Sequence, residues 1–357
     1  MKVTSLELQR TVRTASTHPQ TITRHEEDRC RRSGWNGILQ SLAGRWVALW
    51  LLIGCSLGLS AQSKRPSSPT KPLAAATSDA WQLARSNPAA LMQRASLNEM
   101  ANSYAHRRLL RYRVRKVTAK SDTTKEIVET LDGGVARLIA ERNAPLTVEQ
   151  QQAEMARLRA VAADPEIQAH RRRHEMRDAS HLSEIMRLLP TAFSYTYAGK
   201  QQTAEGTFIR LSFVPDPKFS PPDLMARVLT GIRGEAWIDP AQMRVVRITG
   251  RLFRHVNYGW GLLGVLDPGG TLSIVQTDTQ AAGWQMSHLV LDLQGKAVLV
   301  KTLDLHVDET AWDHGTVPSD WHYRDAVEWL LQQNFSSVRE PESLYAGGTS
   351  FATRPYD

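Results

Sequence analysis

Apolar and polar side chains alternate with a period of two from Ile232 to Leu252. Ile232, Gly234, Ala236 and Ile238 fall on one side, opposite Arg233 and Glu235. Beyond Asp239-Pro240, Val246, Ile248, Gly250 and Leu252 share a side opposite Arg247, Thr249 and Arg251. Successive residues of a strand point to opposite faces, so the pattern predicts a hairpin with one dry and one wet face. Proline presets its own φ and cannot donate to a ladder, which places the turn at Asp239-Pro240. From Tyr258 to Leu266 the alternation stops. Apolar side chains stand among glycines there, and the stretch is either an apolar loop or a tight, buried bend.

The same period recurs elsewhere. Residues 109–118, 125–131 and 135–141 read as a three-strand meander, with Asp132-Gly133-Gly134 as a hairpin signal. Further strands are expected at 194–199, 208–214, 271–277, 286–293 and 296–307, the last two joined by a turn at Gln294-Gly295. A helical period covers 80–105. A polar helical pair covers 146–189, broken at Asp164-Pro165 and ended by Pro190. The apolar stripe of its second half runs through Ile167, Met176, Leu182, Ile185, Met186 and Leu189. A short helix is expected at 223–229 and a terminal one at 323–333. These elements predict an α+β fold. Its sheet is antiparallel and strongly curved, an open half-barrel of about nine or ten strands. An N-terminal helix and the inserted helical pair cover one face, leaving room for an apolar concavity.

Composition adds a destination. Residues 46–59, WVALWLLIGCSLGL, form an apolar run after Arg45 and before Ser60-Ala61. The run is short of the ~20 residues that span a bilayer, and its flanks fit an export signal. Three fates stand open: cleavage near Ala61, lipidation at Cys55 within Leu52-Ile53-Gly54-Cys55, or retention as an anchor. Each places the body outside the cytoplasm, in the periplasm or secreted. The organisation expected is a leader over 1–61, a Pro/Ser-rich linker over 62–78, a folded domain over 79–310 containing the insertion, and a C-terminal helix with a loose tail over 311–357. The net charge is +8, half of it in the leader, and the remainder is too mild for nucleic-acid binding. Both cysteines, Cys30 and Cys55, precede the body, which rules out a disulfide framework or a cysteine metal cluster there.

Candidate chemistry is sparse. His170, His174 and His181 share a helix face, but Arg171, Arg172, Arg173 and Arg177 surround them and disfavour a cation. Asp304, His306 and Asp308 alternate along one strand face without a nucleophile, and neither a Gly-x-Ser-x-Gly elbow nor a phosphate-cradling glycine loop occurs. No cofactor and no enzyme activity are expected. The basic run from His106 to Lys116 suits anionic headgroups or plain solvent.

The stretch Gly234-Glu-Ala-Trp237-Ile238-Asp239-Pro240 through Val245-Val246-Arg247-Ile248 resembles the LolA-like group of periplasmic lipoprotein carriers and a related anti-sigma-factor sensor. Over about 80–310 the chain also resembles an uncharacterised family of secreted bacterial proteins. The shared runs are Ala226-Arg227-Val228-Leu229 to Trp237-Ile238-Asp239, and Trp260-Gly261-Leu262-Leu263-Gly264. The charged insertion at 146–189 and the segment after 310 depart from the LolA-like pattern. The resemblance implies a helical lid over an apolar cavity that shelters acyl chains. The residues expected to meet such a ligand are Tyr258, Trp260, Leu262, Leu263, Val265 and Leu266, with Trp237. The expected function is therefore a non-enzymatic envelope protein binding a lipid or acyl chain, with contact to a membrane surface or an envelope protein and none to nucleic acid. The alternative is a periplasmic interaction or sensor module using the helical insertion. A hydrolase with an unrecognised site comes last.

Overall fold

The computed structural model describes residues 73–105, 108–259, 263–279, 283–297 and 301–335. The leader, Cys55 and the tail after 335 lie outside them. The unit that begins at Ala43 carries everything below.

Two helices open the described chain, α1 (Leu73–Ser86) and α2 (Pro88–Ala105), where the sequence pattern suggested one. Proline fits only the first turn of a helix without losing a hydrogen bond, and Asn87 caps the second helix by accepting from the Ala90 amide at 3.1 Å. The meander follows as β1 (Leu110–Thr118), β2 (Asp122–Val128) and β3 (Val135–Glu141), with the short β4 (Ala144–Pro145). The inserted pair is α3 (Val148–Ala163) and α4 (Pro165–Ala192). Thr147 and Gln150 form a capping box on α3, and Asp164 accepts from the Glu166 amide to start α4. Pro190 does not end α4. It sits in the last turn, close to where the chain becomes extended at Phe193.

The strands return as β5 (Phe193–Thr203) and β6 (Gly206–Pro215). A 3-10 turn, Ala226–Gly231, replaces the expected short helix. Then come β7 (Ile232–Asp239), β8 (Arg244–Leu252), β9 (Val256–Tyr258), β10 (Gly264–Leu266), β11 (Thr271–Asp278), β12 (Trp284–Ala297), β13 (Lys301–Thr316) and α5 (Tyr323–Gln332). All pairings are antiparallel, in the order β4-β3-β2-β1-β13-β12-β11-β8-β7-β6-β5, with the β9–β10 hairpin attached to the end of β12. The two edges do not meet, so this thirteen-stranded sheet stays open rather than closing into a barrel.

Two readings of the strands need correction. Gln294-Gly295 is no turn; both residues lie inside β12, where Gly295 pairs with Leu303 on one side and Leu266 on the other. A β-carbon at Gly295 would strike the Val265 carbonyl oxygen, so this glycine serves close strand approach. In β8, a bulge between Trp237↔Arg247 and Ile238↔Val245 makes Val246 the extra residue, and Val245 joins the core cluster instead.

The main core lies between the inner face of β5–β13 and helices α1, α2 and α4. A second cluster packs Val128 and Val135 against Leu158, Val161 and the buried face of α5.

Candidate functional site

The hairpin β7–β8 supplies the floor of the site. Its two glycines, Gly234 and Gly250, stand directly opposite each other. At Gly234 a β-carbon would collide with the Thr249 carbonyl oxygen, so the backbones approach where no other residue fits. On the same face, Gly250 leaves space in front of Ile232 and Phe213.

Above that space lies an apolar cavity of about 70 Å³. The sheet contributes Phe213, Ile248, Leu252, Ile274, Leu289 and Leu291. Helix α4 contributes Ile185 and Leu189, and the 3-10 turn contributes Val228 and Leu229. The periodicities explain this convergence. Leu289, Leu291 and Leu293 alternate inward along β12, and the four-residue step from Ile185 to Leu189 is about one helical turn. The lid therefore uses only the C-terminal part of the predicted stripe. Ile167 and Met176 are exposed, at 39 % and 38 %, because α4 outruns the main core at its N-terminal end.

The residues singled out around the tongue divide. Tyr258 and Leu266 pack against the main core, and burial raises the Tyr258 phenol well above its ordinary pKa. Val265 points to the opposite side from Leu266 and is half-buried. Leu263 is 40 % exposed. Trp260 and Leu262 lie outside the described residues. Trp237 alternates away from the buried Ala236 and Ile238, with the Arg247 guanidinium 5.0 Å above its ring. None of the five described tongue and hairpin residues lines the cavity. The described flanks of the tongue, β9 and β10, pair with each other, and β10 is clipped to β12.

One charged group borders the site. Glu309 on β13 lies directly across from the cavity-lining Leu289, and so on the same inner face. It is fully buried, and neither carboxylate oxygen has a hydrogen-bond partner. Lys116 stands 3.6 Å away. Burial pushes the Glu309 carboxyl up to about 7, against the opposing pull of Lys116 and Lys125. Lys125 is itself lowered, first by burial and then by the charge of Lys116. The sequence carried a signal for Glu309, since position 309 keeps the parity of Val307 and Ala311. The expected strand end at 307 hid it.

A scan against known protein families matches none, and a search of curated proteins finds no relative. Among solved structures, a crystal structure of a DUF1329 family protein from Desulfovibrio piger is similar at a TM-score of 0.23 and 7 % identity, covering 69 % of this chain and 94 % of that one.

The other candidate groups are surface arrangements. His170 and His174 contact each other through their Nε2 atoms at 3.3 Å. Among the described residues no group of three or more His, Cys, Asp or Glu converges as a metal site. On the outer face, His288 meets Asp308 at 2.9 Å and His306 meets Asp292 at 3.8 Å. The basic strand β1 is neutralised locally. Arg115 pairs with Asp122 at 2.9 Å, while Arg111 and Arg113 reach Asp313 at 3.5 and 3.6 Å.

Proposed function

We propose that this protein is a non-enzymatic carrier or sensor of the bacterial cell envelope that holds an apolar ligand, an acyl chain, between α4 and the inner face of the sheet. The observation that supports this reading is the apolar cavity, walled by aliphatic and aromatic side chains from six strands, one helix and one turn. Burying a methylene from water is worth ~0.8 kcal/mol, so such a wall favours a hydrocarbon chain over any polar ligand. The export signal and the LolA-like motif around Trp237-Ile238-Asp239-Pro240 agree with it.

Size sets a condition. About 70 Å³ is smaller than the ~150 Å³ cavity that takes benzene, and far below the ~300 Å³ of an ordinary ligand pocket. An acyl chain therefore fits only if the cavity widens. Loading requires Ile185 and Leu189 of α4 to part from Val228 and Leu229 of the 3-10 turn. Titration of delipidated protein with a fluorescent fatty acid tests this. Saturable binding is expected, weakened at least fivefold by Val228→Phe, whose ring takes up cavity space at this buried position, with the overpacking costing ~1–3 kcal/mol in thermal denaturation. Absence of saturable binding across several lipid classes overturns the reading.

A second reading, docking of a protein partner on α3 and α4, has the exposed Val148, Ile167 and Met176 in its favour. Removing these three side chains together would then abolish recovery of that partner while leaving fatty-acid binding intact.

A further inference from the structure

We propose that the end of the molecule built from the 3-10 turn Ala226–Gly231, the segment 251–255 and Leu263 docks on an anionic lipid surface. The proposal extends the carrier reading above, and it stands on separate residues.

Four exposed arginines gather there: Arg227, Arg233, Arg251 and Arg254. Arg233 and Arg251 are cross-strand partners at the end of the β7–β8 ladder. Among the described residues no carboxylate forms an ion pair with any of the four, in contrast to the arginines of β1. The nearby acids are otherwise engaged. Asp267 pairs with His255 at 3.2 Å, and Asp223 accepts from the Ala226 amide at 2.7 Å. Neither bond cancels a carboxylate's charge, but four guanidiniums face these two carboxylates, so the charge at this end is positive.

A hydrophobic element sits within it. Phe253 is 38 % exposed and lies between two cations, Arg233 at 5.5 Å and Arg254 at 5.4 Å from its ring. Its amide donates to the Gly231 carbonyl at 3.0 Å, and the Arg254 guanidinium donates to the Thr230 carbonyl. These bonds fasten the segment after β8 to the 3-10 turn and hold the ring outward. Leu224 and Leu263 are also exposed, at 46 % and 40 %. Guanidiniums around a protruding aromatic ring suit the headgroup level of a bilayer, the cations meeting phosphates and the ring entering the acyl boundary.

The location fits the purpose. The turn that presents Arg227 outward lines the cavity with Val228 and Leu229, and Leu252, the neighbour of Phe253, lines it as well. The proposed docking end and this part of the cavity wall are one piece of chain.

Hydrogen exchange of the full chain, with and without vesicles, tests the proposal locally, so that any binding by the leader does not interfere. On vesicles of equal parts phosphatidylcholine and phosphatidylglycerol, exchange across 226–233 and 251–257 should slow about tenfold. High salt, pure phosphatidylcholine or the double variant Arg227→Gln/Arg233→Gln should each remove that protection. The variant's exchange without vesicles, matching wild type, reports its fold. Absence of protection in these segments, or protection that survives in the double variant, overturns the proposal. Fatty-acid binding in solution should be the same in wild type and double variant, so loss of either behaviour leaves the other to be judged by itself.

Discussion

Glu99 of α2 grips Arg244 of β8 across the inner face: Arg244 Nε donates to Oε1 at 3.0 Å and Nη2 to Oε2 at 2.6 Å, and the Val245 amide donates to Oε1 at 3.1 Å. Both side chains are buried. The pair bolts the second helix to the strand that follows the Trp237-Ile238-Asp239-Pro240 turn. Removing one partner of a buried pair strands a charge, at a cost of ~3–5 kcal/mol. Glu99→Ala should lose stability on that scale in urea denaturation. Replacing both partners, as in Glu99→Leu with Arg244→Met, should recover most of the loss.

The Gly234–Gly250 contact sets the sheet geometry beneath the cavity. Gly234→Ala drives a methyl into the Thr249 carbonyl and should cost ~1–3 kcal/mol in the same assay. At Gly250 the added methyl meets the Ile232 side chain, 2.8 Å away, which can shift. Gly250→Ala should therefore cost less stability than Gly234→Ala, and it should weaken fatty-acid binding by shrinking the space.

Glu309 makes stability depend on pH. Its folded carboxyl titrates near 7, above the ordinary glutamate value of 4.5, so the folded state holds the proton more tightly than the unfolded chain. Stability should be greatest below pH 4.5 as far as this group is concerned, and should fall as pH rises from there through 7, by ~3 kcal/mol in all. Glu309→Gln should flatten that slope and raise the melting temperature at pH 7.5. An unchanged slope between pH 5 and 7 would show that Glu309 is not the titrating group.

Within the tongue, Leu266 is buried under β12 and Leu263 is exposed. Leu266→Asp buries a charge without a partner and should destabilise by more than ~3 kcal/mol. Leu263→Asp should stay within ~0.5 kcal/mol of wild type. Thermal denaturation of the two variants separates a scaffold hairpin from a free loop.

Much of this fold was legible because one face of its sheet is dry. Ile232, Ala236, Ile238, Ile248 and Leu252 carried the period of two, and the Asp132-Gly133-Gly134 and Asp164-Pro165 breaks marked a hairpin and a helix boundary correctly. Glycine and proline misled where tertiary contacts gave them another use. Gly295 allows β10 to approach β12, and Pro190 occupies the last turn of α4. The bulge at Val246 shifted one residue of β8, which periodicity cannot foresee. The cavity itself was not legible. It is assembled from residues between Ile185 and Leu293, brought together only by the strand order, whereas the tongue attracted attention by local composition.

Native mass spectrometry of the protein purified from its own envelope tests the central claim most directly. The carrier reading requires a population heavier than the bare chain by the mass of a lipid or acyl-chain ligand, removed by organic extraction and diminished in Val228→Phe. Bare protein alone in wild type, in preparations that keep envelope lipids present throughout, would contradict it.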